Sequence, residues 1–541
     1  MMNNVFFQRI ANLLLLPFKQ NFLFFLIFCI LTASCPFMVY FNVKNEINLT
    51  ATFVAVMHCI SLSYFVTLLI GVIRHGIIRS ITQTVFIIFG TIDFILNFYC
   101  TFYLHDFFSS DIALLLLETD PKEAKEFFAS LVPIWMIITI ICVFLFCFFL
   151  WRLIKRYDLN FHLGKKSSLF AMGIICIGIA LSWYKRGIWE YGPIGPFYTL
   201  LQHENPSDLR IYFSHPQLTF INENEMPTNV VLIIGESFGR SHSSIYGYNK
   251  LTNPLLAQLK ENSLLFSFDS INSPAHSTVQ SLRYMLSTFD LSNEQDKKWY
   301  EFISIIELMK ESGFASYWFG NQGRIGKHNG TTRVYAQACD QQWFLKDDHV
   351  EDQLDIVLVD SSYQFINHLR NKKHNFIIYH MKGSHFDYSL RYPKEFDQFS
   401  VNEYQNEPQN HRDILASYDN SILYNDFVVD KIMGMFKDTE SIVIYVPDHG
   451  QVMYRDKNNP DYYAHGRKKD PISFALGIDI PFFVYASPLY QQKHPEMMER
   501  IKYRQDNPKT WNSDNLPYFI MDLIGVKEIN GENIKSKSVL N

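Results

Sequence analysis

The chain has 541 residues, of which 48% are hydrophobic and 19% are charged, and its formal net charge is −5. This composition excludes a disordered or fibrous protein, because such chains lack the apolar residues of a packed core. It also argues against a nucleic-acid binder, since phosphate backbones are bound by an excess of clustered Lys and Arg side chains.

The mean hydropathy of −0.02 conceals two parts of different composition. Apolar runs fill the first part, and seven of the eight cysteines lie within the first 176 residues. Each run is close to the ~20 residues that a helix needs to cross a bilayer core of ~30 Å. The sequence therefore predicts five transmembrane helices, at roughly 20–42, 51–73, 81–104, 130–151 and 167–184.

The charged residues between these helices predict their orientation, because Lys and Arg accumulate on the cytoplasmic side. Nine of them lie before the first helix, between the second and third, or between the fourth and fifth: Arg9, Lys19, Arg74, Arg79, Arg152, Lys155, Arg156, Lys165 and Lys166. The intervening loops hold three lysines and seven acidic residues. The N-terminus is thus predicted inside and the C-terminal part outside.

The apolar runs and the aromatic segment that follows them divide the chain into three parts. We expect a transmembrane domain over 1–184, an aromatic connector at the membrane interface over 185–225, and a soluble domain over 226–541. Asp93 lies within the third predicted span, where a packed polar contact between helices and a functional role are both compatible with the sequence.

Three segments of the soluble domain, at 230–236, 376–385 and 442–450, combine a short apolar run with acid–base or metal-binding side chains at its end. Continuous β-branched runs are typical of buried parallel strands, and helical stretches at Ser304–Glu311 and Tyr418–Phe436 alternate with them. An α/β domain is therefore predicted.

Ligands of open α/β sheets bind beyond the carboxyl ends of the strands. Glu236, His385 and the pair Asp448-His449 fall at such ends, and their side chains are suitable ligands for zinc. A capping or turn role would explain any one of them, but three together indicate a shared site. His465 could return to this site, although a lone histidine in a polar loop is more often a surface residue.

Two hydroxyl groups are candidate nucleophiles. Ser237 lies in a G-x-S-x-G pattern after a strand, as in α/β-hydrolases, and Asp448 and His465 follow in the order of a catalytic triad. Thr278 opens a predicted helix that runs through Met285, where the helix dipole and a nearby zinc ion would make its hydroxyl more acidic. Simple N-capping by Ser277 or Thr278 is the alternative interpretation of this second segment.

Together, these motifs resemble the phosphoethanolamine transferases of Gram-negative envelopes, which are membrane-anchored members of the alkaline phosphatase and sulfatase superfamily. The resemblance covers nearly the whole chain. Its markers are Gly235-Glu236-Ser237, Gly247-Tyr248, Thr252-Asn253-Pro254, Ser277-Thr278, Gly383-Ser384-His385, Arg391-Tyr392-Pro393, Tyr418-Asp419-Asn420, Tyr424-Asn425-Asp426 and Asp448-His449-Gly450. The implied fold is a five-helix transmembrane bundle followed by an α/β sulfatase-like domain.

The resemblance also implies roles for individual residues. Glu236, Asp448 and His449 match the zinc ligands of the family, together with the nucleophilic threonine, which falls on Thr278. His385 and His465 match the histidines around the phosphoryl group, as ligands of a second metal ion or as acid–base groups. One zinc ion is expected, and a second remains an open alternative.

The loop before the fourth predicted span resembles the segment that binds the lipid donor in this family. Thr119 and Glu123 are therefore expected donor contacts, whereas Leu115 stands where the family often has Asn. A second departure is that Cys339 is the sole cysteine of the soluble domain, while members that modify lipid A generally have several disulfides there. This favours the branch that acts on lipopolysaccharide core sugars.

The implied function is transfer of phosphoethanolamine from phosphatidylethanolamine to an envelope acceptor, which is lipopolysaccharide core, lipid A or a periplasmic glycan. The enzyme would lie in the bacterial inner membrane among membrane lipids, with its catalytic domain in the periplasm. The alternatives are a sulfatase or phosphodiesterase, a glycerophosphate transferase, a serine esterase that uses Ser237, and a receptor or assembly factor with an inactive fold.

Overall fold

The computed structural model describes most of the chain, which divides into two compact units, Met1–His203 and Glu204–Asn541. The described residues are 14–15, 21–43, 47–104, 107–109, 112–113, 134–157, 165–184, 192, 196, 211, 213–221, 226–293, 298–322, 330–345, 353–369, 373–458, 460–466 and 470–541. The expected donor contacts Thr119 and Glu123, and Leu115, lie outside these ranges.

Five long helices lie in the described ranges of the first unit. They are α1 (Phe22–Asn42), α2 (Leu49–Val72), α3 (Gly76–Tyr99), α4 (Ile134–Tyr157) and α5 (Lys165–Tyr184). Three spans are long and apolar enough to cross a membrane: Phe22–Asn42, Leu49–Val72 and Gly76–Phe102. Helices α4 and α5 contain shorter apolar stretches, Ile137–Phe146 and Phe170–Leu181, so five crossings remain a prediction.

Asp93 of α3 is fully buried among these helices. Cys35 Sγ lies 3.7 Å from its Oδ2, and Asn97 Nδ2 donates to its Oδ1 at 3.2 Å. The carboxyl group of Asp93 therefore has a polar neighbour at each of its oxygens, one from α1 and one from the next turn of α3. These contacts support the packed polar interpretation of Asp93.

A sheet of seven strands forms the centre of the second unit, in the order β3-β9-β8-β2-β7-β5-β6. Only β9 runs antiparallel to its neighbours. Large buried clusters cover both faces, as expected for strands with continuous apolar runs. The strands of this unit are β1 (Leu218–Phe220), β2 (Asn229–Gly235), β3 (Leu265–Phe268), β4 (Ile271–Asn272), β5 (Ala315–Gly320), β6 (Gln341–Phe344), β7 (Asn375–His380), β8 (Ser441–Pro447), β9 (Phe482–Ala486), β10 (Trp511–Asn512), β11 (Val526–Ile529) and β12 (Glu532–Asn533).

Helices connect these strands, which confirms the predicted α/β class of the C-terminal part. They are α6 (Pro254–Glu261), α7 (Thr278–Met285), α8 (Ile305–Glu311), α9 (Gly330–Ala338), α10 (Ile356–Leu369), α11 (Gln409–Met435), α12 (Pro471–Ile478), α13 (Pro488–Lys493), α14 (Pro495–Asp506) and α15 (Leu516–Leu523). Ser304 is the N-cap of α8 and accepts a hydrogen bond from Glu307 N at 3.1 Å. Helix α11 begins at Gln409, well before the predicted start at Tyr418. The prediction missed its first turns because they are mainly polar and carry no apolar pattern.

The N-terminus of α6 is capped by a side chain from another helix. Its N-cap residue, Asn253, makes no capping hydrogen bond. Instead, the buried carboxyl group of Asp426 on α11 accepts hydrogen bonds from Leu255 N at 2.9 Å and Leu256 N at 3.0 Å. This contact joins α6, which follows the Thr252-Asn253-Pro254 motif, to the long helix α11.

We predict that Asp426→Ala lowers the free energy of unfolding of the second unit by about 2–4 kcal/mol, because it leaves two helix-terminal N–H groups without an acceptor. Asp426→Asn retains one acceptor oxygen and should cost less than half as much. Urea unfolding of the full chain, followed by tryptophan fluorescence, measures the difference. Asp430→Ala, at a half-buried carboxyl group one turn along α11, is the matched control, and an equal loss in both alanine variants would contradict the capping role.

Candidate metal centre and active site

Glu236, Asp448 and His449 meet at the carboxyl ends of two adjacent parallel strands. Strand β2 pairs with β8 so that Gly235 lies opposite Pro447, and the next residue of each strand therefore begins the site. All three side chains are buried, and one ligand atom from each lies within 4.8 Å of the others. The structure thus brings together the three residues that the sequence predicted as zinc ligands.

The chemistry of this cluster fits a metal ion. His449 Nε2 lies 3.3 Å from Glu236 Oε1 and 3.6 Å from Asp448 Oδ2. His449 Nε2 and Asp448 Oδ2 are both buried, and neither has a hydrogen-bond partner among the described residues. Buried polar atoms are normally paired, and a divalent cation would pair both atoms at once.

The pKa values show that the cluster needs positive charge. Burial and the charge of Glu236 raise the pKa of Asp448 to about 7. Burial lowers the pKa of His449, but the charges of Asp448 and Glu236 outweigh it and raise this pKa to about 9. Burial would raise the pKa of Glu236, but the adjacent imidazole of His449 and the charge of His385 hold it well below its usual value. Without a metal ion, the site therefore retains a proton at neutral pH.

Thr278 presents its hydroxyl group to this cluster. It is the first residue of α7, and its Oγ1 donates to the two oxygens of Glu236 at 3.1 Å and 3.4 Å. Ser277 is the N-cap residue of α7, but its side chain makes no capping hydrogen bond. Simple N-capping by Ser277 therefore does not explain this segment. Thr278 is half-buried, whereas the three cluster residues are fully buried. Thr278 is therefore less buried than the three cluster residues that its hydroxyl group adjoins.

Ser237 lies beside the same cluster but does not form a catalytic triad. Its φ of 55° resembles the strained elbow of a hydrolase, but the side chain is buried and its Oγ donates to Glu236 Oε1 at 2.8 Å. Asp448 Oδ1 accepts hydrogen bonds from the backbone N–H groups of Ser237 and His449, and its Oδ2 has no partner among the described residues. Asp448 therefore makes no hydrogen bond to His465 there, as a catalytic triad would require. This geometry disfavours the serine esterase alternative and assigns Ser237 to orienting Glu236.

His465 and His385 lie close to the cluster and are half-buried, as Thr278 is. The rings of His465 and His449 are perpendicular, with centroids 4.6 Å apart. Burial and the charges of His449 and His276 lower the pKa of His465 well below its usual value, so this imidazole is neutral at pH 7. The predicted histidines thus border the accessible side of the cluster, where a neutral imidazole can bind a metal ion or accept a proton.

The loop that carries His385 is fixed by close backbone contacts. Asp355 accepts hydrogen bonds from Lys382 N at 2.9 Å and Gly383 N at 2.8 Å. Gly383 has a φ of +49°, and a Cβ atom there would lie 2.9 Å from Glu236 N. Glycine is required here both for the positive φ and for this approach to the backbone of Glu236.

Sequence reasoning missed two neighbours of the cluster, Gln322 and His276. Gln322 Nε2 donates to Glu236 Oε2 at 3.3 Å and to Met381 O at 3.0 Å. It follows β5, so the polar end of a short apolar strand could have revealed it. His276 precedes Thr278 by two residues and lowers the pKa of His465 through its charge. Cys339, as expected, is a free and buried thiol.

We predict that Gly383→Ala weakens divalent-metal binding at least tenfold, because the added methyl group must displace the backbone of Glu236. The measurement is the zinc content of the purified full chain after dialysis against a graded series of chelator concentrations. Gly313→Ala is the matched control, since Gly313 also has a positive φ, +83°, but nothing lies within 4 Å of an added Cβ. Equal zinc loss in both variants would show that backbone strain alone causes the effect.

Zinc binding should release between about one and two protons at pH 7, because the metal ion replaces the proton that His449 holds below pH 9 and the part of a proton that Asp448 holds near pH 7. The apparent affinity should therefore rise as the pH increases from 6 toward about 9 and then level off. Titration calorimetry in buffers of different ionisation enthalpy measures the released protons. An affinity that does not change over this range would contradict the assignment.

Comparisons with known proteins place the chain in a family. The profile of the sulfatase family matches residues 228–526, more than half of the chain. Phosphoethanolamine transferase EptC of Escherichia coli is 25% identical over 456 residues, which cover 77% of this chain and 75% of that protein.

Two solved structures share the fold. The C-terminal periplasmic domain of EptC from Escherichia coli, solved in complex with Zn, covers 60% of this chain and 89% of its own, with 24% identity and a TM-score of 0.53. The integral membrane protein lipooligosaccharide phosphoethanolamine transferase A from Neisseria meningitidis covers 95% of this chain and 96% of its own, with 18% identity and a TM-score of 0.66. These likenesses confirm the resemblance that the motifs predicted, and the family match shows that the chain belongs to the sulfatase family.

Proposed function

We propose that this protein transfers phosphoethanolamine from phosphatidylethanolamine to an acceptor of the bacterial envelope. The observation that carries the proposal is the position of Thr278. This residue is half-buried, and its hydroxyl group donates to Glu236 within a buried cluster suited to zinc. The first part of the chain has apolar helices long enough to cross a membrane. The relative EptC is named a phosphoethanolamine transferase, which supports the same chemistry.

The first step forms a covalent intermediate on Thr278. A zinc ion held by Glu236, Asp448 and His449 would lower the pKa of the threonine hydroxyl and stabilise negative charge on the phosphoryl group. Thr278 Oγ attacks the phosphorus atom of the donor and loses its proton. The bond from phosphorus to the glycerol oxygen breaks, and diacylglycerol leaves after that oxygen takes up a proton.

The second step regenerates the free hydroxyl group of Thr278. A hydroxyl or phosphate oxygen of the acceptor attacks the phosphorus atom, loses its proton, and displaces Thr278 Oγ, which is protonated again. His465 is neutral at pH 7 and half-buried, so its ring can donate a hydrogen bond to the transferred group or bind a second metal ion, whereas its lowered pKa makes it a weak base. His385 lies on the loop fixed against Glu236, where it can bind the phosphoryl oxygens or a second metal ion.

The positive end of the α7 dipole supports the same assignment. Thr278 is the first residue of this helix, where unpaired N–H groups favour an anion. Charge that develops on the threonine oxygen or on the phosphoryl group is therefore stabilised by the backbone as well as by the metal ion. Thr119 and Glu123 remain the proposed contacts of the lipid donor.

The acceptor is proposed to be lipopolysaccharide, with the core sugars favoured over lipid A because the catalytic domain has Cys339 as its sole cysteine. We further propose five transmembrane crossings, a location in the inner membrane and a catalytic domain on the periplasmic side. A sulfatase, phosphodiesterase or glycerophosphate transferase of the same fold would differ in the group transferred or in the acceptor.

We expect Thr278→Ala to lower transfer at least a thousandfold, because it removes the attacking oxygen while keeping the metal ligands. Thr278→Ser retains a hydroxyl group and should keep measurable activity. Ser237→Ala should lose less than Thr278→Ala, since Ser237 only orients Glu236. Mass spectrometry of envelope lipids and glycans, from cells with each variant, measures the phosphoethanolamine-bearing product.

The opposite order of the two alanine variants would contradict the proposal and revive the serine esterase. If the wild-type protein adds glycerophosphate instead of phosphoethanolamine to the envelope, it is a glycerophosphate transferase. Zinc content of each purified variant is the control that separates lost chemistry from lost metal.

A further inference from the structure

Helix α12 exposes one large apolar side chain, Ile472, and buries its small residues, while its other large apolar side chains are half-buried. Pro471, Ile472 and Ala475 are exposed, and Ile472 retains 38% of its surface. Ser473 and Gly477, four residues apart on the opposite side, are buried. A surface helix of a soluble domain normally shows the reverse arrangement, with its large apolar residues toward the core.

The inverted arrangement follows from a close backbone contact. A Cβ atom on Gly477 would lie 2.4 Å from the Cα atom of Gly466, and one on Gly466 would lie 2.8 Å from Ser473 O. Only small residues allow α12 and the loop after His465 to approach so closely. The fully buried positions of α12 are therefore restricted to small residues.

The same helix borders the active site. Gly477 O accepts a hydrogen bond from Gly450 N at 2.8 Å, next to His449, and Ile478 O accepts one from Ser273 N at 2.8 Å, before Thr278. The ring of Phe474 meets the ring of His276 edge-on, with centroids 5.9 Å apart. Helix α12 thus contacts the loops that carry the metal ligand, the nucleophile and His465.

We propose that α12 is an interfacial helix whose exposed apolar face inserts into the surface of the lipid bilayer and holds the active site against its lipid donor. The proposal rests on the proposed function, since it assumes a donor within the bilayer. Insertion would keep the acyl chains in the membrane while the phosphate reaches Thr278.

Two further observations favour a bilayer over a protein partner. Arg467, Lys468 and Lys469 precede α12 in the sequence, and a basic run beside an apolar helix is typical of segments that meet anionic headgroups. The chain also carries apolar helices long enough to cross a membrane, so the bilayer is a permanent neighbour. An eight-residue helix offers far less area than the ~800 Å² per partner of a stable protein interface.

The depth of α12 in the membrane is measured directly with the full chain in vesicles of phosphatidylethanolamine and phosphatidylglycerol. A fluorescent amino acid replaces Ile472 in one sample and Tyr503 in another, since Tyr503 on α14 is also exposed, at 65%. Brominated lipids should quench the probe at position 472 at least twofold more than the probe at position 503. Equal quenching at both positions would overturn the proposal.

Substrate choice provides the second readout. We expect Ile472→Asp to lower transfer from vesicle phosphatidylethanolamine about tenfold, because an anionic side chain opposes insertion, and to leave turnover of water-soluble glycerophosphoethanolamine within about twofold. Ile472→Trp should retain transfer, and Tyr503→Asp is the matched control. A parallel loss on both substrates would show a structural role only, and no loss on either would show that α12 does not meet the bilayer.

Failure of the proposed function has a different signature. In that case the wild-type chain releases phosphoethanolamine from neither donor, yet quenching at position 472 still reports whether α12 inserts. The two claims are therefore tested separately.

Discussion

The repulsion between two buried carboxylates, Glu236 and Asp448, is the constraint on which the active site depends. Their separation at the ends of β2 and β8 is fixed by strand pairing, and both side chains are removed from water. Such a pair is stable only with compensating positive charge. A proton on His449 supplies it in part, and a divalent cation would supply it fully. The same positive charge would stabilise a phosphoryl group, which links the charge balance of the cluster to the proposed catalysis.

The surrounding fold orients each group toward that charge. Glu236 accepts hydrogen bonds from Ser237, Thr278 and Gln322, so both of its oxygens are directed. Tyr418 OH donates to Ser237 O at 2.8 Å and accepts from Gly239 N at 2.9 Å, which ties the loop after β2 to α11. Asp355 fixes the loop of His385 in the same manner. These supports lie on different elements, and a change far from Thr278 can therefore still weaken the site.

Much of the fold and of the metal cluster could be predicted from the sequence, since continuous apolar runs mark buried parallel strands and polar residues at their ends face a common edge. Glu236, Asp448 and His449 follow from this rule, and Thr278 follows from its position at the start of a predicted helix. The contribution of Gln322 could not be predicted with the same ease, because its side chain reaches Glu236 only through the tertiary arrangement of β5 and β2. The orientation of α12 could not be predicted from the sequence either, since it depends on contact between Gly477 and Gly466 rather than on a periodic pattern.

The proposed threonine nucleophile, metal site and membrane-facing helix would together suit an enzyme that takes a phosphoryl group from a lipid. The most direct test of this account is the mass of the purified full chain after incubation with zinc and phosphatidylethanolamine in the absence of acceptor. The account predicts an added phosphoethanolamine group on the peptide that contains Thr278, and no adduct in Thr278→Ala. An adduct on Ser237, or turnover of the donor without any adduct on Thr278, would contradict it.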